Sequence, residues 1–181
     1  PFDKFPHEPV ILGPEMRSTG DVMGMDATFG MAYAKAQMAA GNALPTSGTA
    51  FLSVNDRDKP ALVPVAQSLA SQGFGLLGTQ GTAEYLRARG LDVRTVHKVS
   101  EGRPNGEDLT INGEIDLMIN TPLGGRSVGD EHRLRQAAIA HRVPVLTTIS
   151  AARAAAQAIV AQSVSEVIVK SLQEYEHARR V

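Results

Sequence analysis

The stretch Gly75-Leu76-Leu77-Gly78-Thr79-Gln80-Gly81-Thr82 joins an apolar run to a turn rich in glycine and threonine. The run Gly75–Leu77 is predicted to be a buried strand, and a helix is predicted directly after the turn, over Thr82–Arg89. A glycine-containing turn between a strand and a helix is typical of α/β folds, in which the two kinds of element alternate.

The same alternation continues through the chain on both sides of this stretch. Strands linked by helices form right-handed crossovers, which place the strands side by side and parallel. The sequence therefore predicts an α/β fold with a parallel five-stranded sheet and helices on both of its faces. The other predicted strands are Thr49–Val54, Val93–Val99, Ile115–Ile119 and Val143–Leu146, and the other predicted helices are Pro60–Gln72, Asp130–His141 and Ser150–Ala161.

Residues 1–44 are predicted to form a unit distinct from residues 45–181. The segment up to about Met25 is rich in proline and glycine, and its apolar run is too short to build a core. A helix is predicted from about Ala27 to Ala40, with Asp26 as its N-cap, because a short carboxylate can accept the free N–H groups of a first turn. A linker rich in turn residues follows, up to Gly48.

The sequence allows two interpretations of the region that precedes the last predicted helix. Val164–Lys170 fits either a short strand or the start of a tail helix, and Leu172–Arg180 is predicted to be helical.

The composition excludes several classes of function. The 181 residues include 18 basic and 19 acidic side chains, a balance that argues against broad binding of nucleic acid or membranes. The chain has no cysteine, so disulfides, thiolate metal sites and cysteine nucleophiles are excluded, and no other spacing suggests a metal site. With no apolar run long enough to span a bilayer and no signal peptide, a cytoplasmic location is expected.

Polar residues follow the predicted strands, where a parallel sheet binds its ligands. The turn after the second strand is suited to an anion, because its glycines expose N–H groups and a helix begins there. A tight turn with Thr82 as a cap explains the same residues, and an isolated lysine is usually a solvated charge. Asn120 and Thr121 could form hydrogen bonds to a ribose or to a base edge. Their side chains could instead form hydrogen bonds to the backbone of their own turn. The candidate ligand-binding residues are Lys59, Thr79, Thr82, Lys98, Asn120, Thr121 and Thr147.

No catalytic residue is predicted with these ligand contacts. Asp56 and Asp108 are the two carboxylates considered for catalysis, and solvated or capping roles explain both. His97 is interpreted as structural, because it alternates to the strand face opposite Lys98.

Several longer strings resemble one known family. The chain is similar to the end of the large subunit of carbamoyl-phosphate synthase: the last block of its second ATP-grasp unit, then a methylglyoxal-synthase-like domain of Rossmann type over about Gly48 to Ala161. Because the chain starts without Met and with such a block, it is expected to be a C-terminal piece of a larger enzyme. The matching strings are Pro1-Phe2-Asp3-Lys4-Phe5-Pro6, Leu12–Gly24, Lys98-Val99, Glu101-Gly102-Arg103-Pro104, Asn112-Gly113-Glu114 and Ile119-Asn120-Thr121.

The resemblance implies a regulatory role. The family's enzyme is a ligase that uses ATP, with Mg or Mn, to make carbamoyl phosphate from bicarbonate and glutamine for arginine and pyrimidine biosynthesis. The terminal domain alone is expected to be non-catalytic and to bind UMP as inhibitor, IMP as weak activator and ornithine as activator. Its implied partners are the glutaminase small subunit and the rest of the large subunit. Family phosphate contacts fall on Lys59, Thr79, Thr82 and Lys98, a ribose or base contact on Asn120, and an ornithine contact on Thr147.

Two departures and two alternatives accompany this hypothesis. Pro122 stands where the family often has threonine, and the loop Leu123-Gly124-Gly125-Arg126 is less basic than in some relatives. A true methylglyoxal synthase, a lyase that acts on dihydroxyacetone phosphate, would share the fold and use carboxylates near Asp56, Asp108 and Asp130. A docking domain without a small-molecule ligand is the other alternative. An exposed apolar surface on the lead-in segment predicts some self-association.

Overall fold

The computed structural model describes residues 22–121 and 128–179. Its centre is a five-stranded sheet with the strand order β3-β2-β1-β4-β5, and every adjacent pair is parallel. The predicted parallel sheet is therefore confirmed. The strands are β1 (Thr49–Ser53), β2 (Gly75–Thr79), β3 (Arg94–Val96), β4 (Leu117–Asn120) and β5 (Val145–Leu146).

Seven helices connect or flank these strands in the described ranges. They are α1 (Phe29–Ala39), α2 (Lys59–Ser71), α3 (Gln80–Arg87), α4 (Gly106–Ile111), α5 (Val128–Ala140), α6 (Ile149–Val164) and α7 (Leu172–Arg179).

The side chains of the sheet alternate between two separate cores. Leu52 of β1 belongs to a large cluster shared with α1, α2, α3 and α6, whereas its neighbour Phe51 belongs to a second cluster shared with α4 and α5. In β4, Met118 joins the second cluster and Ile119 the first. Because successive strand residues face opposite sides, both faces of the sheet are covered, and the prediction of helices on both faces is confirmed.

The strand order creates a switch point between β1 and β4. From β1 the chain adds β2 and β3 on one side, and then returns to add β4 and β5 on the other. The helices that leave neighbouring strands at such a point diverge to opposite faces, which opens a crevice beyond the carboxyl ends of the strands. The residues that follow β1, β2 and β4 therefore meet at this edge.

Some local predictions were wrong. The structure has a helix α4, with Asn105 as N-cap, where none was predicted, and β3 is shorter than the predicted Val93–Val99. The helix α6 extends to Val164, and residues 166–170 form neither strand nor helix. Helix α1 begins at Phe29 behind the N-cap Thr28, since the carboxylate of Asp26 instead forms an ion pair with Lys35 at 2.7 Å.

Two groups of predictions lie outside the described residues or stay untested. The strings before residue 22 and the loop at 122–127, including Pro122, are not among the residues that the structure describes. Helix α1 packs against α6, and Leu44 is buried in the same core as β1. The boundary between units at residue 44 stays a prediction.

The contact between α1 and α6 depends on Gly30. A Cβ at this position would lie 2.7 Å from the carbonyl oxygen of Gln157 and 3.1 Å from the Cβ of Ala161. We expect Gly30→Ala to lower the free energy of unfolding, although alanine is the better helix former by about 1 kcal/mol. Gly129→Ala, in α5, is the matched control and should be neutral or stabilising, because a Cβ there would meet nothing within 4 Å in the described part of the chain. Equal effects of both changes in urea unfolding would contradict the close packing of the two helices.

Candidate functional site

The glycine and threonine stretch forms a direct junction between β2 and α3. The strand extends to Thr79 and the helix begins at Gln80, so the predicted turn is the end of the strand and the first turn of the helix. Gly78 permits this because a Cβ there would lie 3.3 Å from both the backbone N of Ala83 and the carbonyl oxygen of Leu52. The N–H groups of the first turn of α3 consequently point out of the carboxyl edge of the sheet.

The two threonines of the junction are buried and face each other. Thr79 is the N-cap residue of α3, but its side chain makes no capping hydrogen bond; its hydroxyl lies 3.4 Å from Thr82 Oγ1 and 3.4 Å from Ser53 Oγ. Only 2% of Thr82 is exposed. Both hydroxyls therefore lie beneath the first turn of α3, in position to contribute to an anion site.

Lys59 reaches the same junction from α2. Its Nζ would lie 3.2 Å from a Cβ built on Gly81, and it lies 5.9 Å from the centre of the Tyr85 ring. Lys59 is also the first residue of α2, where the helix dipole disfavours a cation. The Lys59 side chain is 15% exposed, and a cation that is this far buried at a helix N-terminus needs an anionic partner.

Asp56 is the partner that Lys59 has in this structure. The Lys59 ammonium group lies 2.6 Å from Asp56 Oδ1 and lowers the pKa of that carboxyl group through this hydrogen bond. The Asp56 side chain is 91% exposed and is free to swing into water. The carboxylate therefore occupies, from the solvent side, a position that a bound anion would compete for.

The end of β1 links the β2 junction to the end of β4. The backbone N–H of Val54 donates to Thr82 Oγ1 at 3.4 Å, and the next N–H, of Asn55, donates to Thr121 Oγ1 at 3.1 Å. The side-chain amide of Asn55 also donates to Thr121 and to Asp58. Thr121 is thus brought to the crevice, but its hydroxyl already serves as an acceptor for the loop that follows β1.

Asn120 is held at the switch point by two elements. Its Nδ2 donates to the carbonyl oxygen of Ser53 at 3.3 Å, and its Oδ1 accepts from Arg135 Nε at 2.7 Å. Arg135 lies on α5, is 3% exposed and forms an ion pair with Glu131 at 3.6 Å. Desolvation by burial lowers the pKa of Arg135, and the nearby Glu131 opposes that shift. Arg135 did not figure in the sequence prediction.

Lys98 and Thr147 lie at the same edge of the sheet, after its two outer strands. Lys98 is in the loop after β3 and is half-exposed. The three polar contacts that the described chain gives it are all with Glu101, and the ion pair measures 3.1 Å. Thr147 follows β5 and is half-buried. Convergence of Lys98 with Lys59 and an effector contact at Thr147 stay predictions.

The remaining candidate carboxylates have structural partners. Asp108 completes a capping box with Asn105 at the start of α4 and pairs with Arg103 at 3.3 Å. Asp130 accepts hydrogen bonds from the backbone and hydroxyl of Ser100. These contacts fit the capping role predicted for Asp108 and do not favour a catalytic one. Among residues 22–121 and 128–179, no three His, Asp or Glu side chains form a group that could hold a metal ion.

Comparison with known proteins assigns the chain to a family. Residues 61–147 match the family model of the MGS-like domain. The chain is 51% identical over 99% of its length to the carbamoyl phosphate synthase large chain of Gemmatimonas aurantiaca, and 55% identical over 87% of its length to the "carbamoyl phosphate synthase large chain, C-terminal section" of Methanopyrus kandleri. The chain belongs to the family of carbamoyl phosphate synthase large chains.

The MGS-like domain accounts for only a part of those relatives. The chain spans 16% of the Gemmatimonas protein and 29% of the Methanopyrus section. Among solved structures, methylglyoxal synthase from Elizabethkingia anophelis is similar over 61% of this chain and 77% of its own, with a TM-score of 0.45 and 18% identity. In the part of the chain that the structure describes, no helix is long and apolar enough to cross a membrane.

The ion pair between Lys59 and Asp56 yields a prediction about anion affinity. Asp56→Asn should tighten the binding of inorganic phosphate about two- to fivefold, because the neutral amide no longer competes for the Lys59 ammonium group. Asp92→Asn, an exposed position at the opposite edge of the sheet, removes the same charge and is the control. Calorimetric titration with phosphate measures both variants. Weaker binding by Asp56→Asn would show that the carboxylate assists the anion instead of competing with it.

Proposed function

We propose that this MGS-like domain is a regulatory domain that binds a nucleoside monophosphate, with UMP and IMP as its effectors, and controls carbamoyl phosphate synthesis by a larger enzyme. The observation that carries the proposal is the position of Lys59, whose ammonium group lies against Gly81 at the first turn of α3, the turn that also holds the buried hydroxyl of Thr82 beside that of Thr79. Helix N–H groups, buried hydroxyls and a cation together form a phosphate site.

The rest of the nucleotide is expected to extend along the switch point. From the junction at β2, the crevice crosses the end of β1 toward Asn120 at the end of β4. Lys98 would add a second cation when it leaves Glu101. Ornithine is proposed to bind farther along this edge, at Thr147.

Regulation requires that the effector bind the active and inactive states of the whole enzyme with different affinity. The whole enzyme is proposed to be a cytoplasmic ligase that uses ATP, with Mg or Mn, to make carbamoyl phosphate from bicarbonate and glutamine. Its other parts would be a glutaminase small subunit and the rest of the large chain. The domain alone is proposed to be non-catalytic. Helix α1, which packs against α6, is the element proposed to transmit the effect.

The proposal is tested by calorimetric titration of the 181-residue chain with UMP, IMP, ornithine and dihydroxyacetone phosphate in turn. UMP and IMP are expected to bind at one shared site and to compete with inorganic phosphate. Turnover of dihydroxyacetone phosphate to methylglyoxal would contradict the regulatory role, and the absence of any nucleotide binding would refute the effector site.

A further inference from the structure

The orientation of the Asn120 amide is dictated by a buried arginine. A guanidinium group carries only donors, so the group that faces Arg135 Nε at 2.7 Å must be the oxygen of the amide. The amide cannot flip without placing two donors against each other. Its nitrogen must therefore face away from α5, as the contact of Nδ2 with the Ser53 carbonyl oxygen shows.

Arg135 is itself fixed in place. Its Nη2 donates to the backbone carbonyl oxygen of Asn120 at 3.2 Å, so the guanidinium group is hydrogen-bonded to both the side chain and the main chain of the same residue. The ion pair with Glu131, one helical turn earlier on α5, neutralises its charge. Movement of the guanidinium group would leave this buried charge without these partners.

The amide nitrogen retains a donor for a ligand. A primary amide carries two N–H groups, and the described part of the chain gives Nδ2 one acceptor, the Ser53 carbonyl. Asn120 lies on β4, two strands from the phosphate-binding junction on β2. Adjacent strands are about 4.8 Å apart, so this donor lies about 10 Å across the edge from the junction. That separation suits the base of a nucleotide whose phosphate is at α3.

We propose that Arg135 is a positioning residue that holds Asn120 as a hydrogen-bond donor and thereby makes the crevice select bases with a carbonyl oxygen over bases with an amino group. This inference rests on the proposed function, because it concerns the same nucleotide site. Uracil and hypoxanthine present carbonyl oxygens where cytosine and adenine present amino groups, so UMP should bind better than CMP, and IMP better than AMP.

The preference is measured as a ratio of dissociation constants within each pair of nucleotides. Both members carry the same ribose and phosphate, so their ratio is insensitive to the phosphate site and to modest loss of stability. We expect UMP to bind at least about tenfold more tightly than CMP, because an amino group opposite Asn120 would leave two donors unpaired. The titrations use the whole chain and calorimetry.

Variants separate positioning from folding. The double variant Glu131→Gln with Arg135→Gln removes both charges of the ion pair. The amide then keeps its 3.3 Å contact with the Ser53 carbonyl oxygen but loses the shorter contact with Arg135, so the ratio should fall toward one. Asn120→Asp keeps the bond to Arg135 but offers an oxygen to the base, so the affinity for CMP should rise relative to the affinity for UMP. Arg133→Gln is the matched control and should retain the wild-type ratio. Arg133 lies on α5, like Arg135, but it is exposed and pairs with Glu107 of α4.

The outcomes distinguish this inference from the function on which it rests. Wild-type discrimination that is lost in the double variant and shifted by Asn120→Asp supports the inference. Tight binding of UMP and CMP with equal affinity would overturn it and leave the nucleotide site intact, as would a double variant that stays folded with an unchanged ratio. If no nucleotide binds, both the inference and the proposed function are wrong.

Discussion

Lys59→Ala is expected to weaken UMP binding by about ten- to hundredfold, which corresponds to one lost hydrogen bond to a charged group of about 1.5–3 kcal/mol. The Lys59 ammonium group is largely buried and lies against the first turn of α3, so it bonds to an anion with little screening by water. The effect should exceed that of Lys98→Ala, because Lys98 is half-exposed and must first leave Glu101.

Two further variants make the Lys59 prediction specific. Lys59→Arg keeps the charge and should recover part of the affinity, while Lys170→Ala removes a lysine that is exposed in the segment between α6 and α7 and should have no effect. Calorimetric titration with UMP gives all the constants, and thermal melting checks that each variant is folded. Wild-type affinity in folded Lys59→Ala would exclude Lys59 from the site.

Phe51→Ala is expected to have the largest effect on stability, a loss of about 3–5 kcal/mol in the free energy of unfolding. Phe51 lies in the central strand, is 1% exposed, and fills the core under α4 and α5. Its ring would lie 2.9 Å from a Cβ at Gly106, which shows how closely α4 approaches the sheet. The shortened side chain would leave a cavity between two well-packed layers.

Phe29→Ala removes the same ring at a position that is 63% exposed at the start of α1. It should change the free energy of unfolding by less than about 0.5 kcal/mol, as is usual for surface positions. Urea unfolding followed by circular dichroism compares the two variants. Similar losses at both positions would contradict the second core on the α4 and α5 face.

Most of the sheet could be predicted from its apolar runs, whereas α4 could not. Helix α4 spans only Gly106–Ile111, and the polar residues before it resemble a loop. Its signal was the capping box, in which Asn105 accepts from the N–H of Asp108 and the Asp108 carboxylate accepts from the N–H of Asn105. Such a box precedes many helices, but with so short an apolar run it does not outweigh the loop composition.

The candidate site could be predicted where it depends on loops and not where it depends on packing. Lys59 begins α2, Thr79 ends β2, and Thr82 lies in the first turn of α3. All three positions are at the carboxyl edge of the sheet, so the fold alone brings them together. Arg135 is different, because Glu131 and Arg135 at i,i+4 have the spacing of an exposed ion pair on a helix. Only the packing of α5 against β4 buries this pair and directs the guanidinium onto Asn120.

The relation between Lys98 and Glu101 shows a further limit of sequence reasoning. Both residues follow a strand, and proximity to the sheet edge suggested that Lys98 would join the phosphate site. A carboxylate three residues later competes for the same ammonium group, with its Oε1 at 3.1 Å. Whether the Lys98 ammonium group pairs with Glu101 or with a bound phosphate depends on the conformation of this loop. A pattern of residue types does not contain that information.

Binding of UMP at the junction of β2 and α3 is tested most directly by the changes that UMP causes in backbone amide resonances. The largest shifts upon addition of UMP are expected on Gly81 and Thr82 at the start of α3, on Asn55 after β1 and on Thr121 after β4. Inorganic phosphate should shift Gly81 and Thr82 alone. Shifts confined to α1 and α6, with the junction of β2 and α3 unchanged, would contradict binding at this junction.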